Sequence, residues 1–320
     1  MGGKSKFFDV DDDEDIDFKG SDELKKVAEE ELRETDSLRA TSLQQLREAI
    51  RKHPDIKKCR TDSPFLLRFL RTKKFSVPLA LAMIERYLAI RQLYPHWFKK
   101  LDVDDPVVNE ILDSGYLVPL PMRDERGRRV IFSCAGNFDP YKYTATDMIR
   151  THTIVVEALM DDEENQIKGY TYINDERGLS MAHVSLWSFT DIRSIMKCIQ
   201  NSTPMRHKST HFINVPHYAN KVFEFFSGLL SEKLKNRLVI HNNMDDFKNH
   251  FGTKILPQEY GGDMSLQDMI AQFKLELKKQ KEAVAVLEDL EIDLTKRGKI
   301  PEFDDELSGV AGSFRKLEVD

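Results

Sequence analysis

Two groups of basic residues have the types and spacing that suit phosphate binding. The first group surrounds the end of an apolar segment and consists of Arg68, Arg71, Lys73 and Lys74. The second lies in the C-terminal half and consists of Arg206, Lys208, Lys233 and Arg237. Arginine binds phosphate oxygens in pairs and lysine acts as a point charge, so both groups are candidates for an anionic lipid headgroup site. Ordinary surface charge that also stabilises helix ends is the alternative interpretation.

Motifs for catalysis and for metal binding are missing from the sequence. No GxSxG, HExxH or GxGxxG segment occurs. His207, His211 and His217 are close in sequence, but a strand pattern between them keeps them off a common helix, so we expect no metal site. The acidic run 161–164 is typical of a solvated helix end and loop. We therefore expect a protein that is not an enzyme, with no catalytic residues and no cofactor.

Composition excludes several classes of protein. The formal net charge of −6 argues against a nucleic-acid partner, because domains that bind nucleic acids carry a basic excess. Cys59, Cys134 and Cys198 are widely separated, which favours a reducing cytoplasm over a disulfide framework. No segment approaches the ~18 consecutive apolar residues of a membrane span, and the N-terminus is acidic where a signal peptide is apolar. We expect a cytoplasmic protein whose membrane contacts are peripheral.

The N-terminal third predicts an acidic tail followed by helices. Six acids lie between Asp11 and Asp17 with no base among them, which predicts that residues 1–20 are a disordered tail. Residues 21–100 predict an all-helical module, because apolar residues recur at spacings of three and four. Ser21 is expected to cap the first helix, and Ser63 to cap a later helix that has Pro64 at its first position.

Residues 101–275 predict an α/β domain. Strand patterns alternate with helical patterns, which favours a mostly parallel sheet covered by helices. The expected strands are 116–120, 129–134, 169–174, 210–215 and 238–241, and the expected helices are 146–161, 188–201, 219–228 and one that begins near 231. Beyond them, the stretch 266–294 is charged on most faces, so we expect residues 276–320 to be a charged helical and flexible tail.

One predicted helix has a strongly apolar face. Its apolar side chains recur at helical spacing and are Tyr218, Val222, Phe225, Phe226 and Leu229. A helix that faces the core has this composition. A helix that closes a lipid cavity in water and lies on a bilayer when open has the same composition.

A series of motifs, in order along residues 25–275, resembles the CRAL-TRIO family of lipid-binding proteins. The similar segments are Asp62–Phe75, Gly115–Tyr116, Asp124–Val130, Gln166–Gly169, Pro204–Pro216, Ser231–Arg237 and Leu256–Gly262. The most similar subgroup is the one that contains alpha-tocopherol transfer protein, cellular retinaldehyde-binding protein and the clavesins. The resemblance implies a helical N-terminal module on an α/β domain whose sheet forms the floor of a pocket under a mobile helical lid.

The resemblance also implies roles for particular residues. The lid is expected over residues 214–237, with Val222, Phe225, Phe226 and Leu229 on its apolar face. The phosphoinositide-binding bases are expected to be Lys73, Arg206, Lys233 and Arg237, with Lys208 as a fifth. The expected pocket lining is Ile149, His152, Val156, Tyr170, Trp187, Ile195, Cys198, Ile199 and Met205. His152 and Tyr170 depart from the tocopherol carrier, which puts tocopherol itself in doubt as the ligand.

The function that follows from the resemblance is transport of an apolar ligand. We expect an intracellular carrier that binds a retinoid, tocopherol, carotenoid or similar lipid and releases it at phosphoinositide-containing membranes. Burial of such a ligand is favoured by ~25 cal/mol per Å² of apolar surface, so no covalent step is needed. The alternative is a phosphoinositide-sensing trafficking adaptor, for which the pocket lipid is secondary.

Overall fold

The structure, a computed structural model, describes residues 6–8, 10 and 16–295. The helices of these residues are α1 (Asp22–Leu32), α2 (Asp36–Lys52), α3 (Ser63–Thr72), α4 (Val77–Leu93), α5 (Pro95–Phe98), α6 (Pro106–Asp113), α7 (Ala145–Leu159), α8 (Glu163–Lys168), α9 (Met181–Ser185), α10 (Phe189–Asn201), α11 (Asn220–Gly228), α12 (Glu232–Lys235), α13 (Met244–Phe251), α14 (Leu266–Lys279) and α15 (Lys281–Ala285). The strands are β1 (Ile56–Lys58), β2 (Leu117–Pro119), β3 (Arg129–Cys134), β4 (Tyr170–Asp175), β5 (His207–Ile213), β6 (Leu238–Ile240) and β7 (Glu291–Ile292).

Local capping chemistry starts the helices of the N-terminal module. The Ser21 side chain accepts a hydrogen bond from the Leu24 amide, as predicted, and fixes the start of α1. The start of α3 differs from the prediction by one residue. Asp62 is the cap and accepts from the Phe65 amide, so Pro64 occupies the second helical position. The helix still begins where proline loses no intrahelical hydrogen bond.

The α/β domain contains a five-stranded sheet in the order β2-β3-β4-β5-β6. The edge strand β2 runs antiparallel to β3, and the pairs β3-β4, β4-β5 and β5-β6 are parallel. This confirms the predicted helical module and mostly parallel sheet. The strand β5 begins at His207, three residues earlier than the predicted start at 210. Arg206 therefore lies directly before the strand, and Lys208 lies within it.

One apolar core joins the helical module to the α/β domain. Phe65 and Phe69 of α3 and Tyr87 of α4 form an aromatic cluster with ring centroids 5.2 to 5.7 Å apart. The same core continues into α7 through Ile154 and Leu159, both fully buried. Because the two parts share one core, their relative placement is fixed by packing.

The prediction of a charged tail from residue 276 is wrong for the residues that the structure describes. Leu277, Val284, Leu287 and Leu290 are buried in the main core. The strand β7 then pairs antiparallel with β1 of the helical module. The apolar residues are sparse among the charges, but they recur at spacings of three or seven, which keeps them on one buried stripe. Residues 296–320 lie outside the described residues.

Part of the acidic N-terminal segment also packs on the protein. The Phe7 carbonyl accepts from the Thr61 amide at 2.9 Å, and the Val10 amide donates to the Thr61 hydroxyl at 3.2 Å. These contacts contradict the prediction of disorder for the positions that they involve. Residues 1–5, 9 and 11–15 lie outside the described part of the chain. Among the described residues, every helix is too short or too polar to span a membrane.

Candidate functional site

The two faces of the central strand β4 differ in accessibility. On one face Thr171, Ile173 and Asp175 are completely buried. On the other face Tyr172 and Asn174 keep accessible surface, although helices cover that side of the sheet. Asn174 lies in register with Phe212 of β5, whose ring contacts Phe223 of α11 with centroids 4.7 Å apart. The helix α11 therefore covers this face of the sheet.

Polar side chains on this face hydrogen-bond one another. His152 Nε2 of α7 and the Tyr172 hydroxyl are 3.1 Å apart. Ser133 donates to the side-chain oxygen of Asn174 at 2.6 Å. Burial lowers the pKa of His152 to about 4, so the imidazole is neutral near pH 7. Tyr170 is not available to a ligand, because its hydroxyl donates to the Leu159 carbonyl at 3.0 Å.

Glu176 follows β4 at the end of the same face. Burial, with a smaller effect from the charge of Asp175, raises the pKa of Glu176 to about 7. Its carboxyl is therefore partly protonated at neutral pH and can donate a hydrogen bond as well as accept one. Sequence reasoning missed Tyr172, Asn174 and Glu176. The two-residue periodicity of a strand could have predicted them, because it places all three residues on the face that already includes Tyr170.

The structure divides the predicted pocket residues between two apolar clusters. The cluster around Ile90, Trp97 and Phe98 contains, from the prediction, Ile149, Trp187, Ile195 and Cys198. Val156, Tyr170 and Met205 belong to the main core or pack against it, and the Tyr172 hydroxyl contacts the Met205 sulfur at 3.7 Å. Ile199 joins neither cluster and is 46% exposed. Its neighbour Cys198 is buried, and adjacent helical residues point about 100° apart.

The predicted lid, residues 214–237, contains α11, the turn that precedes it and α12. Val222, Phe225 and Phe226 are half-buried, and Leu229 just beyond the helix is buried. Phe225 contacts Phe189 of α10, with ring centroids 5.5 Å apart. The apolar face of α11 thus packs on α10 and on the sheet, as a core-facing helix or a closed lid would.

Both ends of α11 are held by single side chains. The Tyr218 hydroxyl donates to the Leu179 carbonyl at the start of the helix. At its end, the Gln200 amide nitrogen donates to the Leu229 carbonyl at 3.0 Å, and the Gln200 amide oxygen accepts from the Ser231 amide at 2.9 Å. Movement of α11 away from α10 must break these hydrogen bonds in addition to the apolar contacts.

Three of the predicted headgroup bases lie around the start of β5, and we call Arg206, Lys208 and Arg237 the basic recess. Gly169 makes their placement possible. Its φ is +84°, and a Cβ there would lie 2.4 Å from the Arg206 carbonyl oxygen, so only glycine allows this close approach. Arg206 and Lys208 both contact Glu31 of α1, at 2.7 and 2.9 Å.

Cations outnumber anions in the basic recess. Arg237 donates to the His207 carbonyl, and burial with the nearby Arg206 charge lowers the pKa of Arg237. Burial also lowers the pKa of Lys208, an effect that Glu31 opposes. Burial alone would raise the pKa of Glu31, but its hydrogen bonds from Lys208 and Arg206 bring that pKa below the usual value. The site therefore already binds one carboxylate.

The other two predicted bases lie on separate helices. Lys73 is half-buried at the C-terminal end of α3, where its amide donates to the Phe69 carbonyl. Lys233 is exposed on α12, four residues before Arg237. Their membership of the headgroup site remains a prediction.

Arg68 and Arg71 belong to a buried ion-pair network and not to an anion site. Each has 1% of its surface exposed. Arg68 contacts Glu157 at 2.7 Å and Asp161 at 2.6 Å. We call the buried ion pairs between the helical module and α7–α8 the interface network; its members are Glu34, Arg39, Arg60, Asp62, Arg68, Arg71, Arg91, Glu157, Asp161 and Glu163.

The interpretation of the acidic run 161–164 as solvated is wrong for Asp161 and Glu163, whereas Asp162 and Glu164 have 49% and 41% of their side chains exposed. Asp161 has 14% of its side chain exposed and pairs with two arginines, and Glu163 contacts Arg71 and Arg39, both at 2.7 Å. Local sequence does not reveal these pairs, because the arginines come from helices about a hundred residues earlier.

A histidine cluster lies between β5, β6 and α13. His211 Nδ1 and His241 Nε2 are 2.9 Å apart, and the rings of His211 and His250 have centroids 4.9 Å apart. Burial, with the nearby His250 and His241, lowers the pKa of His211 to about 3. Within the described part of the chain, no group of three or more potential ligands is placed to hold a metal ion.

The fold and the site together define an α/β domain with a covered, partly polar sheet face, preceded by a helical module. Residues 113–262 match the family model described as "CRAL/TRIO domain", and residues 35–108 match the one described as "Pinta-like, UBA domain". Clavesin-1 of Xenopus laevis is 32% identical over 240 residues, which cover 75% of this chain and 72% of that protein. The chain therefore belongs to the CRAL-TRIO family of lipid-binding and lipid-transfer proteins.

A clavesin from a second organism gives the same assignment. Clavesin-2 of Homo sapiens is 31% identical over 250 residues, which cover 78% of this chain and 76% of that protein. The solved structure titled "Crystal structure of Sfh5" covers 84% of this chain and 99% of its own chain, with 12% identity and a TM-score of 0.46.

Proposed function

We propose that this protein carries a hydrophobic small molecule beneath α11 and releases it at phosphoinositide-containing membranes in the cytoplasm. The observation that carries the proposal is the accessible face of β4. On this central strand Thr171, Ile173 and Asp175 are fully buried, whereas Tyr172 and Asn174 on the opposite face keep accessible surface, and the proposed ligand space lies between this face and α11. Membership of a lipid-binding family supports the same conclusion.

The side chains around this space suit an amphiphile with one neutral polar end. Apolar surface comes from Phe212 and Phe223, and hydrogen-bonding groups come from Asn174 and Glu176 on the floor. A retinoid, a tocopherol, a hydroxylated carotenoid or a similar lipid has this chemistry. A fully apolar ligand would leave the polar groups with fewer partners than water gives them, which is unfavourable.

A phosphoinositide-sensing adaptor is the second candidate, and the position of the basic recess favours it. Arg206 and Lys208 lie at the start of β5 and not on α11. A headgroup can therefore reach them while α11 stays in place. In this case binding to the membrane would be the output and the bound lipid would be secondary.

Native mass spectrometry of the purified full-length chain, followed by organic extraction, separates the two candidates. The carrier predicts one apolar molecule per chain, which the Phe225→Asp variant loses while remaining folded by circular dichroism. A chain that holds no lipid but binds phosphoinositide vesicles would contradict the carrier and support the adaptor.

Flotation with phosphoinositide vesicles tests the headgroup site that both candidates share. Removal of Arg206, Lys233 and Arg237 together should weaken binding, because each base near an anionic surface contributes about 1 kcal/mol. Lys235→Ala is the matched control, since Lys235 lies on the same short helix as Lys233 and pairs with Glu232 at 2.8 Å. Equal binding by the wild type and the triple variant would contradict the site.

A further inference from the structure

We propose that Glu31 determines headgroup specificity at the basic recess, because an incoming lipid headgroup must displace its carboxylate from Arg206 and Lys208. This inference rests on the proposed phosphoinositide site and concerns which anionic lipids that site accepts. It predicts selection for a phosphomonoester dianion, as in a phosphoinositide bisphosphate, over a singly charged phosphodiester lipid.

The contacts of Glu31 are those that a bound phosphate group would make. One carboxylate oxygen accepts from the Arg206 guanidinium at 2.7 Å and from the Lys208 ammonium at 2.9 Å. These are charge-assisted hydrogen bonds of the type that arginine and lysine form with phosphate oxygens. Glu31 therefore occupies the position of an anionic ligand, although it comes from a different domain of the same chain.

The backbone of α1 holds Glu31 in this position. Leu24, Ala28 and Leu32 are buried in the main core, which fixes the helix on the protein. Glu31 precedes Leu32 and follows Ala28 by three positions, so it lies at the border of the buried face. Its side chain is 47% exposed, and it can turn toward solvent without movement of the helix.

Charge decides which lipids can replace Glu31. A phosphodiester such as that of phosphatidylserine carries one negative charge on its phosphate and offers the recess no more than the carboxylate already supplies. A phosphomonoester carries about −1.5 to −2 charges and three acceptor oxygens. It can satisfy Arg206, Lys208 and Arg237 together, which the single carboxylate does not do. Arg128 adds positive field, since the charges of both Glu31 and Arg237 influence its pKa.

The test compares Glu31→Gln with Glu30→Gln, which removes the same charge from the same helix. Glu30 is 65% exposed and lies 4.0 Å from Lys26, away from the recess. Binding is measured by flotation with two kinds of phosphatidylcholine vesicle of equal surface charge, one with phosphatidylserine and one with phosphatidylinositol bisphosphate. Thermal unfolding of each variant checks that α1 remains packed.

Wild type should bind the bisphosphate vesicles and discriminate against the serine-lipid vesicles. Glu31→Gln should bind the serine-lipid vesicles about fivefold more tightly than Glu30→Gln does, the effect of one unit charge acting in the site. Soluble inositol trisphosphate should bind the recess of Glu31→Gln in free solution at a lower concentration than it needs to displace this variant from bisphosphate vesicles. Binding of the soluble headgroup with no binding to vesicles would contradict a membrane lipid as the ligand.

Two further outcomes separate this inference from the proposed function. If Arg206→Ala weakens binding to bisphosphate vesicles while Glu31→Gln and Glu30→Gln behave alike, the headgroup site stands and the role of Glu31 is wrong. If Arg206→Ala and Arg237→Ala bind like the wild type, the headgroup site itself is wrong, and the role of Glu31 is wrong with it.

Discussion

The interface network and the basic recess use the same residue types in opposite ways. In the interface network each arginine has carboxylate partners at hydrogen-bonding distance; Arg71, for example, contacts Glu34 at 2.6 Å and Glu163 at 2.7 Å. In the basic recess Arg206 and Lys208 share the single carboxylate of Glu31. Matched buried charges hold two parts of a protein in register, and an excess of one sign provides attraction for a ligand of the other sign.

Exposure separates the two regions as well. Arg68 and Arg71 have 1% of their surface exposed, whereas the side chains of Arg206 and Lys208 have 14% and 21% exposed and their partner Glu31 has 47%. A headgroup can reach the second set and not the first. Charge balance and exposure together distinguish the arginines of the interface network from those of the basic recess, where residue type alone does not.

Loss of a charge from the interface network should have the largest effect on stability. Glu157 accepts from Arg68 at 2.7 Å and from Tyr87 at 2.8 Å, and it also pairs with Arg91. Glu157→Gln removes the carboxylate partner of buried Arg91 and one of the two of buried Arg68, so we expect a loss of about 3–5 kcal/mol in the free energy of unfolding. Urea denaturation measures it.

An exposed ion pair provides the matched control for this variant. Glu110 contacts Lys142 at 2.8 Å with more than half of each side chain exposed. Glu110→Gln should change the free energy of unfolding by less than about 1 kcal/mol. Equal losses for Glu157→Gln and Glu110→Gln would contradict the distinction between matched buried charges and exposed ones.

Acidification should destabilise the protein through its neutral histidines before it affects either charged region. The folded-state pKa is about 4 for His152 and His207 and about 3 for His211, below the usual 6.5. The unfolded chain therefore binds more protons than the folded chain as the pH falls through 6.5, and stability falls by up to about 1.4 kcal/mol per histidine and pH unit.

Other titratable groups either oppose this loss of stability or keep their charge over the same pH range. Glu176 acts in the opposite direction, because its raised pKa of about 7 makes the folded form take up a proton first. The pKa values of Glu31 and Glu157 are lowered, so the contacts that these carboxylates make persist through the window. Thermal unfolding between pH 7 and 5 should show a decline that His152→Gln reduces. An unchanged slope in this variant would contradict the assignment.

A smaller effect, on the rate of lipid release, is expected from Gln200, a neutral side chain that holds the end of α11. Gln200→Ala removes the partly exposed hydrogen bonds to Leu229 and Ser231, together worth about 1 kcal/mol, and should speed release of a fluorescent lipid analogue about fivefold while lowering the melting temperature by no more than a few degrees. Asn201→Ala, at the adjacent exposed position, is the control. Equal release rates for the two variants would show that Gln200 does not restrain α11.

The comparison also explains what the sequence could and could not predict. The helix start at Ser21 was predictable because capping depends on residues three positions apart. The resemblance to a known family identified Arg206, Lys208 and Arg237 as predicted headgroup-binding bases. It could not identify Glu31, since one glutamate in the run 29–31 of an acidic helix carries no local sign that it will face β5.

Long-range pairing accounts for the remaining errors. Arg68 was grouped with surface bases because its partners Glu157 and Asp161 are about ninety residues away in the chain. The packed C-terminal segment was missed for a related reason, since β7 pairs with β1 across more than two hundred residues. Both features depend on which elements meet in the fold, and local periodicity does not contain that information.

Transfer of cargo to vesicles of two compositions tests most directly whether the basic recess couples membrane binding to release. The chain is loaded with a fluorescent lipid analogue and mixed with neutral or phosphoinositide-containing vesicles. Transfer should be faster to the phosphoinositide vesicles, and about 0.5 M salt should reduce the difference by screening. Arg237→Ala should reduce the difference without changing cargo affinity. The same rate with both kinds of vesicle would contradict the coupling.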